Sequence, residues 1–286
     1  MKLIVQPEGG IGHILTAIDR AKRAIDIVIF RLDCRSVTSG LEAAVRRGVV
    51  VRAMVAKKHR GSRRDLRKLE RRLLRAGVVL SRTAGDLVRY HGKMMIVDRR
   101  VLHVYGFNYT RKDYLSRSFG IETTDPALVR QALSLFDADA TRRPYRSGPP
   151  DFVVSPADSR ERLAAFIRGA RRQLLIYDPR LSDTAMHDLL VEQAHAGVDV
   201  RIIGKTRRLR SRLAVQKFPG YRLHVRAIIR DGQHAFVGSQ SLGRIELDRR
   251  REVGLIVRDP SIVQRMQSIF ERDWRQTPAA RSAARR

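Results

Sequence analysis

The sequence predicts an α/β fold built from two similar units, and three observations carry that expectation. Short β-branched runs alternate with segments of helical periodicity, and the order of these segments is played twice. One nine-residue stretch, Tyr90-His91-Gly92-Lys93-Met94-Met95-Ile96-Val97-Asp98, returns as Leu223-His224-Val225-Arg226-Ala227-Ile228-Ile229-Arg230-Asp231. Strand and helix in alternation argue for a sheet with helices on its faces, and self-similarity at a fixed long period argues for duplication. The chain has 286 residues, comfortable for two units of about 140 each.

In chain order, Leu3-Ile4-Val5 reads as a short strand. Ile11, Ile14, Leu15 and Ile18 fall at helical spacing and predict a helix over 11–23. Ile25-Asp26-Ile27-Val28-Ile29-Phe30 is a strand. A helix over 37–47 should stop at Gly48, whose freedom at positive φ suits a C-terminal cap. Val49 to Val55 follows as a buried strand. The second unit repeats this order 149 positions on: Phe152-Val153-Val154-Ser155-Pro156 answers Leu3-Ile4-Val5-Gln6-Pro7, and Gly197-Val198-Asp199-Val200-Arg201 answers Gly48-Val49-Val50-Val51-Arg52.

The offset drops to 133 at the paired motif, so the first unit carries about 16 additional residues between Arg52 and His91. The register then holds near 133 or 134, because Asp125-Pro126 matches Asp259-Pro260 and Phe136-Asp137-Ala138-Asp139 matches Phe270-Glu271-Arg272-Asp273. The expected division is 1–140, a Pro- and Gly-containing linker 141–151, and 152–286 with a basic C-terminal tail. In the additional segment Ser62 to Asp65 reads as a capping box, with Leu66, Leu69 and Leu73 as an apolar stripe. Arg63, Arg64, Arg67, Lys68, Arg71, Arg72 and Arg75 make its other face, either a solvated helix surface or an electrostatic arm for a polyanion. Arg207, Arg208, Arg210 and Arg212 form a smaller basic group.

Hydrophobic residues make up 43% of the chain, enough for a packed core, while 58 Lys and Arg against 29 Asp and Glu leave a net charge of +29. Such a field attracts polyanions: phospholipid or an anionic membrane surface, or nucleic acid. The single cysteine, Cys34, excludes an internal disulfide and a cysteine-based zinc cluster. The first residues lack the apolar run of a signal peptide, and no window approaches the roughly 18 apolar residues of a membrane span. The expected location is cytoplasmic, with peripheral contact to the inner membrane as the variant.

Read as a strand, the first motif directs His91 and Lys93 to one side, placing a nucleophile or base beside a fixed charge. After each Asp the chain turns back, most clearly at Asp231-Gly232, into returning strands at 101–105 and 235–237. These end in small or amide residues, Gly106-Phe107-Asn108 and Gly238-Ser239-Gln240-Ser241, which can donate to phosphate oxygens. Phe30-Arg31-Leu32-Asp33 and Tyr177-Asp178-Pro179 follow equivalent strands and are candidates to line a cleft. His13, His59, His103, His187, His195 and His234 lack partners at ligand-like spacing and are expected to be structural.

The whole pattern H-x-K-x4-D at His91, Lys93 and Asp98, its altered copy at His224, Arg226 and Asp231, and Arg251-Glu252-Val253-Gly254 downstream resemble the phospholipase D superfamily, most closely its bacterial phospholipase D and cardiolipin synthase type. The resemblance covers nearly the whole chain. It implies two pseudo-twofold-related α-β-α units, mixed sheets flanked by helices, with both histidines at one interface site. It further implies that His91 attacks phosphorus to give a phosphohistidine and that His224 protonates the leaving oxygen. Lys93 and Arg226 would offset charge on the phosphoryl oxygens, with Asn108, Ser239 and Ser241 as phosphate contacts and no metal or cofactor. Asp98 and Asp231 are expected to fix local structure. The implied reaction is phosphodiester cleavage or phosphatidyl transfer on phospholipid; a metal-independent nuclease and a noncatalytic binder of acidic lipid or nucleic acid are the alternatives.

Three departures stand out. Arg226 replaces the second lysine, and Ser241 stands where asparagine is usual. Ser118 occupies the first-unit position of Glu252, so Glu122, four residues on, is the expected carboxylate partner of His91.

Overall fold

The computed structural model describes residues 1–56, 63–206 and 213–278. Ser62, the Arg63 side chain, His59, Arg207, Arg208, Arg210, Arg212 and the basic tail lie outside the described residues. Ile14 and Ile18, one helical turn apart, are buried beneath the helix Gly12–Arg20. That helix ends sooner than its apolar spacing suggests, because the next N–H groups are taken by another partner. Lys22, Arg23 and Ala24 donate their backbone N–H groups to the Asp98 carboxylate at 2.7 to 3.1 Å. The helix Arg35–Arg46 buries Val37, Leu41 and Ala44 and is followed by Gly48 at φ +85°, where a side chain would be strained.

The first sheet runs in the order Lys2–Gln6, Ser116–Thr123, Val101–Tyr105, Met94–Val97, Ala24–Ile29, Val50–Val55, Val79–Arg82. Its last three strands are mutually parallel and the others pair antiparallel. The second sheet repeats this order with Phe152–Ser155, Arg250–Val257, His234–Gly238, Ala227–Arg230, Gln173–Leu181, Asp199–Thr206 and Ala214–Gln216. The helix Pro126–Thr141 closes the first unit, and 142–151 carry neither helix nor strand.

Three apolar clusters hold these layers. One joins the first sheet to the helices Gly12–Arg20, Arg35–Arg46 and Arg63–Arg75, through Ile14, Leu41 and Leu73. Its counterpart in the second unit contains Leu163, Leu190 and Ile202. The third spans both units: Phe119, Ile121 and Phe136 from the first share it with Phe152, Tyr177 and Phe270 from the second. The two repeats are therefore one folding body with a common interior. In the helix Arg63–Arg75 part of the basic face is already engaged, since Arg72 donates to Glu42 and Ser39, while Arg67, Lys68, Arg71 and Arg75 are exposed.

The motif stretch is not the single strand that its alternation suggests. Arg89–Tyr90 pairs in parallel with Arg250 and Arg251 of the other repeat's sheet, the chain then crosses over at His91 to Lys93, and Met94–Val97 enters its own sheet. The second copy mirrors this: Arg222–Leu223 pairs with Ser116 and Arg117, and Ala227–Arg230 returns to its own sheet. Each histidine thus sits on a crossover between two sheets.

Asp98 and Asp231 terminate the motifs at φ +53° and +55°, and Asp231 takes the N–H groups of Arg171, Arg172 and Gln173 as Asp98 takes its three. A carboxylate accepting several N–H bonds is favoured ionised; accordingly those donors hold both carboxyls below their usual range although burial opposes it. Asp98→Ala and Asp231→Ala should each lower stability by about 1–3 kcal/mol, read as a shift of the urea midpoint. Asn, which tolerates positive φ and keeps one acceptor oxygen, should cost less. An unchanged midpoint in both alanine variants would refute this role.

Candidate active site

The crossover fixes His91 at both ends. Its backbone N–H donates to the Arg251 carbonyl at 2.7 Å, and that of Gly92 donates to the same oxygen at 2.9 Å. Its ring Nδ1 lies 2.9 and 2.8 Å from the two oxygens of Glu252, which is fully buried. A carboxylate there makes Nδ1 the protonated nitrogen and leaves the lone pair on Nε2. Lys93 is fully buried, its ammonium 2.6 Å from the His91 carbonyl and 2.9 and 3.0 Å from the two ring nitrogens. Phe30 packs edge-on against the imidazole at 4.5 Å, so this residue lines the site, while the Tyr177 hydroxyl is bonded to Asp273 at 2.7 Å.

His224 is held in the same way by the first repeat. Its N–H donates to the Arg117 carbonyl at 3.0 Å, and Ser118 Oγ donates to its carbonyl at 3.4 Å. Asp113 Oδ1 lies 3.1 Å from its Nδ1. That carboxylate is itself fixed by Arg222 at 2.6 Å, the Asn108 side-chain amide at 2.6 Å and the Thr110 hydroxyl at 3.0 Å.

Arg226 reproduces the contact that Lys93 makes. Its Nη1 donates to the His224 carbonyl at 3.0 Å as the Lys93 ammonium donates to that of His91, and its Nε donates to Ser241 Oγ at 3.1 Å. The two departures in the second motif therefore belong together: a longer cation faces a shorter hydroxyl partner.

Burial dominates the electrostatics. It pushes His91 well below its ordinary range, and Lys93, Arg226, Arg250 and Arg89 push the same way. His224 is also lowered by burial and by Arg226, with Asp113 opposing. Desolvation brings the Lys93 ammonium down to about 7. Burial raises Glu252, against Lys93, Ser239 and Arg226. Asp113 is held well below the usual carboxylate range, because His224, Arg222 and Asn108 together outweigh its burial.

Of the residues singled out in the sequence, His91, Lys93, Glu252, His224 and Arg226 are assembled at the interface, with Asn108 and Ser241 touching their partners. Ser239 is fully buried; its hydroxyl accepts from the Val253 N–H at 3.2 Å and bonds Glu252. Asp98 and Asp231 act as backbone clamps. Glu122 is not brought to His91. It stands opposite His103 in the antiparallel pair, its carboxylate 3.6 Å from that imidazole, and the partner of His91 comes from the other repeat instead. Sequence reasoning missed Asp113, which reads as the acid three residues after the Thr110 cap of a capping box and does donate its N–H to the Thr110 hydroxyl. A usable signal was its register: Glu246 lies 133 positions on. Among the described residues no group of three or more His, Cys, Asp or Glu side chains could hold a metal ion.

Lys93 should titrate near pH 7, losing its charge as pH rises, observable from the ¹³Cε resonance of labelled lysine. Glu252→Gln removes the negative charge that supports the ammonium and should lower that midpoint further. A midpoint near the ordinary lysine value of about 10.4 would contradict this arrangement.

The family described as "Cardiolipin synthase, PLD-like domain" matches residues 14–140 and 163–274. No curated protein matches the sequence. In fold the chain is similar to a polyphosphate kinase from Porphyromonas gingivalis, with TM-score 0.78, 20% identity, and coverage of 94% of this chain and 49% of that one. It is also similar to a phosphatidylserine synthase from Haemophilus influenzae, with TM-score 0.71, 10% identity, and coverage of 96% and 86%. The chain thus spans about half the length of the polyphosphate kinase, and at these identities the likeness concerns the fold. With both repeats matched by the family model and both histidines at one interface, the chain belongs to the phospholipase D superfamily, in its cardiolipin synthase-like branch.

Proposed function

We propose that the protein is a phosphodiesterase or phosphatidyltransferase acting on phospholipid through a covalent phosphohistidine. The observation that carries this reading is the reciprocal pairing at one site, His91 with Glu252 and His224 with Asp113. His91 Nε2 attacks phosphorus and the bond to the leaving oxygen breaks. His224 gives its proton to that oxygen. Water or an alcohol then attacks the phosphohistidine, His224 takes the attacking proton, and His91 leaves neutral. Covalent catalysis divides one hard displacement into two. Lys93 and Arg226 meet the charge on the nonbridging oxygens. Phospholipid is favoured as substrate by the family description, and the strong positive charge of the chain suits an anionic lipid surface.

Incubation with phosphatidylglycerol and with phosphatidylcholine should give a released headgroup or a transphosphatidylated lipid, and acid-labile phosphate should be trapped on His91. His91→Ala should abolish both. His224→Ala should slow turnover by about 10²- to 10⁴-fold, and by much less when the leaving group is p-nitrophenol, which departs without a proton. No lipid turnover by the wild type, or equal turnover by His91→Ala, would sink the reading. Cleavage of DNA or RNA in EDTA that is lost in His91→Ala would reassign the substrate to nucleic acid. Tight lipid binding without a trapped intermediate would leave a noncatalytic binder.

The second motif gives a separate prediction. Arg226→Lys and Ser241→Asn should each reduce turnover, and the double variant should recover activity above the product of the two single effects, since contacting residues couple. Strict additivity in that cycle would show that the two positions are independent.

A further inference from the structure

We infer that Asp139 and Asp273 are positioning residues for the two histidines, each fixing an arginine whose own carbonyl holds the histidine of the opposite repeat. Arg251 Nε donates to Asp139 at 3.1 Å and its Nη1 to the Ser155 carbonyl at 3.2 Å. The carbonyl of the same residue receives the His91 and Gly92 N–H groups, and the next residue, Glu252, takes the His91 ring. Arg117 Nε donates to Asp273 at 2.9 Å and its Nη1 to the Gln6 carbonyl at 2.8 Å. Its carbonyl receives the His224 N–H, and the next residue, Ser118, bonds the His224 carbonyl. The two arrangements correspond in three contacts, arginine Nε to aspartate, Nη1 to a carbonyl of the first strand of its unit, and arginine carbonyl to histidine N–H, and Arg117 differs in also donating to Glu8 at 2.8 Å.

Both ion pairs cross the interface. Asp139 and Arg251 come from different units, as do Arg117 and Asp273, and both aspartates are buried and make no contact with the ring of either histidine. Each guanidinium also covers an aromatic ring on the segment leading into the histidine it serves: Arg251 over Tyr90 at 5.8 Å, and Arg117 over Tyr221 at 5.3 Å. A buried ion pair is weak evidence for stability, since a well-packed apolar pair of similar volume often does as well. Its presence twice in one chain, each time one peptide from a catalytic contact, is accounted for by geometry: the ion pair ties to the opposite repeat the strand residue whose carbonyl receives the histidine N–H, and that carbonyl sets where the imidazole stands.

The inference rests on the phosphohistidine reading, so its test has one arm that needs no turnover. Ring ¹⁵N resonances of His91 should move in Asp139→Asn while those of His224 stay, and the reverse should hold in Asp273→Asn. In turnover of phosphatidylglycerol, Asp139→Asn should lower kcat by about ten- to a hundredfold with KM within about twofold, equally for alkyl and p-nitrophenyl leaving groups. Asp273→Asn should slow alkyl leaving groups more than p-nitrophenyl ones, because it displaces the acid. Asp139→Glu, which keeps the charge, should restore part of the loss. Should Asp273→Asn fail to fold, Asp139→Asn and Asp139→Glu carry the test. Unmoved histidine resonances in a folded Asp139→Asn overturn the inference whether or not lipid is cleaved. Moved resonances without wild-type turnover would instead count against the reaction and leave the positioning role standing.

Discussion

Everything at the site depends on the exchange of two-residue strands between the repeats. Arg89–Tyr90 lies in the second sheet and Arg222–Leu223 in the first, so each histidine is reached by a chain already committed to the other unit. The consequence is chemical as well as topological. The carboxylate beside His91 comes from residue 252, and the one beside His224 from residue 113. Neither repeat alone supplies the carboxylate beside its own motif histidine, and the shared apolar cluster joins the two units. The interfacial pair Arg117 and Asp273 is itself part of a wider set, since Arg117 also donates to Glu8 at 2.8 Å and Asp273 accepts from the Tyr177 hydroxyl at 2.7 Å.

The net charge of the chain and the charge of the site are different quantities. Exposed cations such as Arg67 and Arg75 create a long-range field that salt screens within about 8–10 Å. Lys93, Arg226 and Arg250 act on buried groups over short distances, where screening is weak, and they add to the burial that lowers the proton affinity of His91. A neutral imidazole in a cationic, desolvated pocket is suited to meeting an anionic phosphodiester: the cations attract the substrate and at the same time keep a lone pair on the nucleophile. Burial that lowers the Lys93 ammonium to about 7 carries a cost in charge, which an arriving phosphate anion would reverse.

The sequence conveyed the duplication, the layer order and most of the site, because periodicity and repeated spacing survive translation into local structure. The helix over 37–47, the strand at 101–105 and the hairpin turns at Asp98 and Asp231 follow from neighbouring residues. What was not legible depends on contacts between distant parts of the chain. Reasoning within one repeat assigned Glu122 to His91, because Glu122 shares a strand with Ser118; strand exchange instead carries Glu252 there. Asp113 carries the ordinary signature of a helix cap, and only the crossover that brings His224 beside it adds a second role. The motif itself reads as a continuous strand because its second half, Met94 to Val97, is a run of buried apolar residues, while the hydrogen-bond partners that break it lie far along the chain at Arg250 and Arg251.

The proposed division of labour between two similar histidines rests on how differently their carboxylates are held. Groups whose environments push their proton affinities apart take opposite roles in acid–base chemistry. Asp113 has three donor residues, Arg222, Asn108 and Thr110, and stays ionised deep into the acid range, so it works against the burial and the Arg226 charge that lower His224. Glu252 is buried and raised, and beside it His91 is pressed toward the neutral form by burial first and then by four cations. The duplication supplied two equivalent histidines, and the residues that differ between the repeats, Asp113 against Glu246 and Ser118 against Glu252, break the equivalence. Burial and cations lower both histidines, and the proposed roles rest on the difference in their carboxylates, since the charge of Asp113 opposes that lowering at His224.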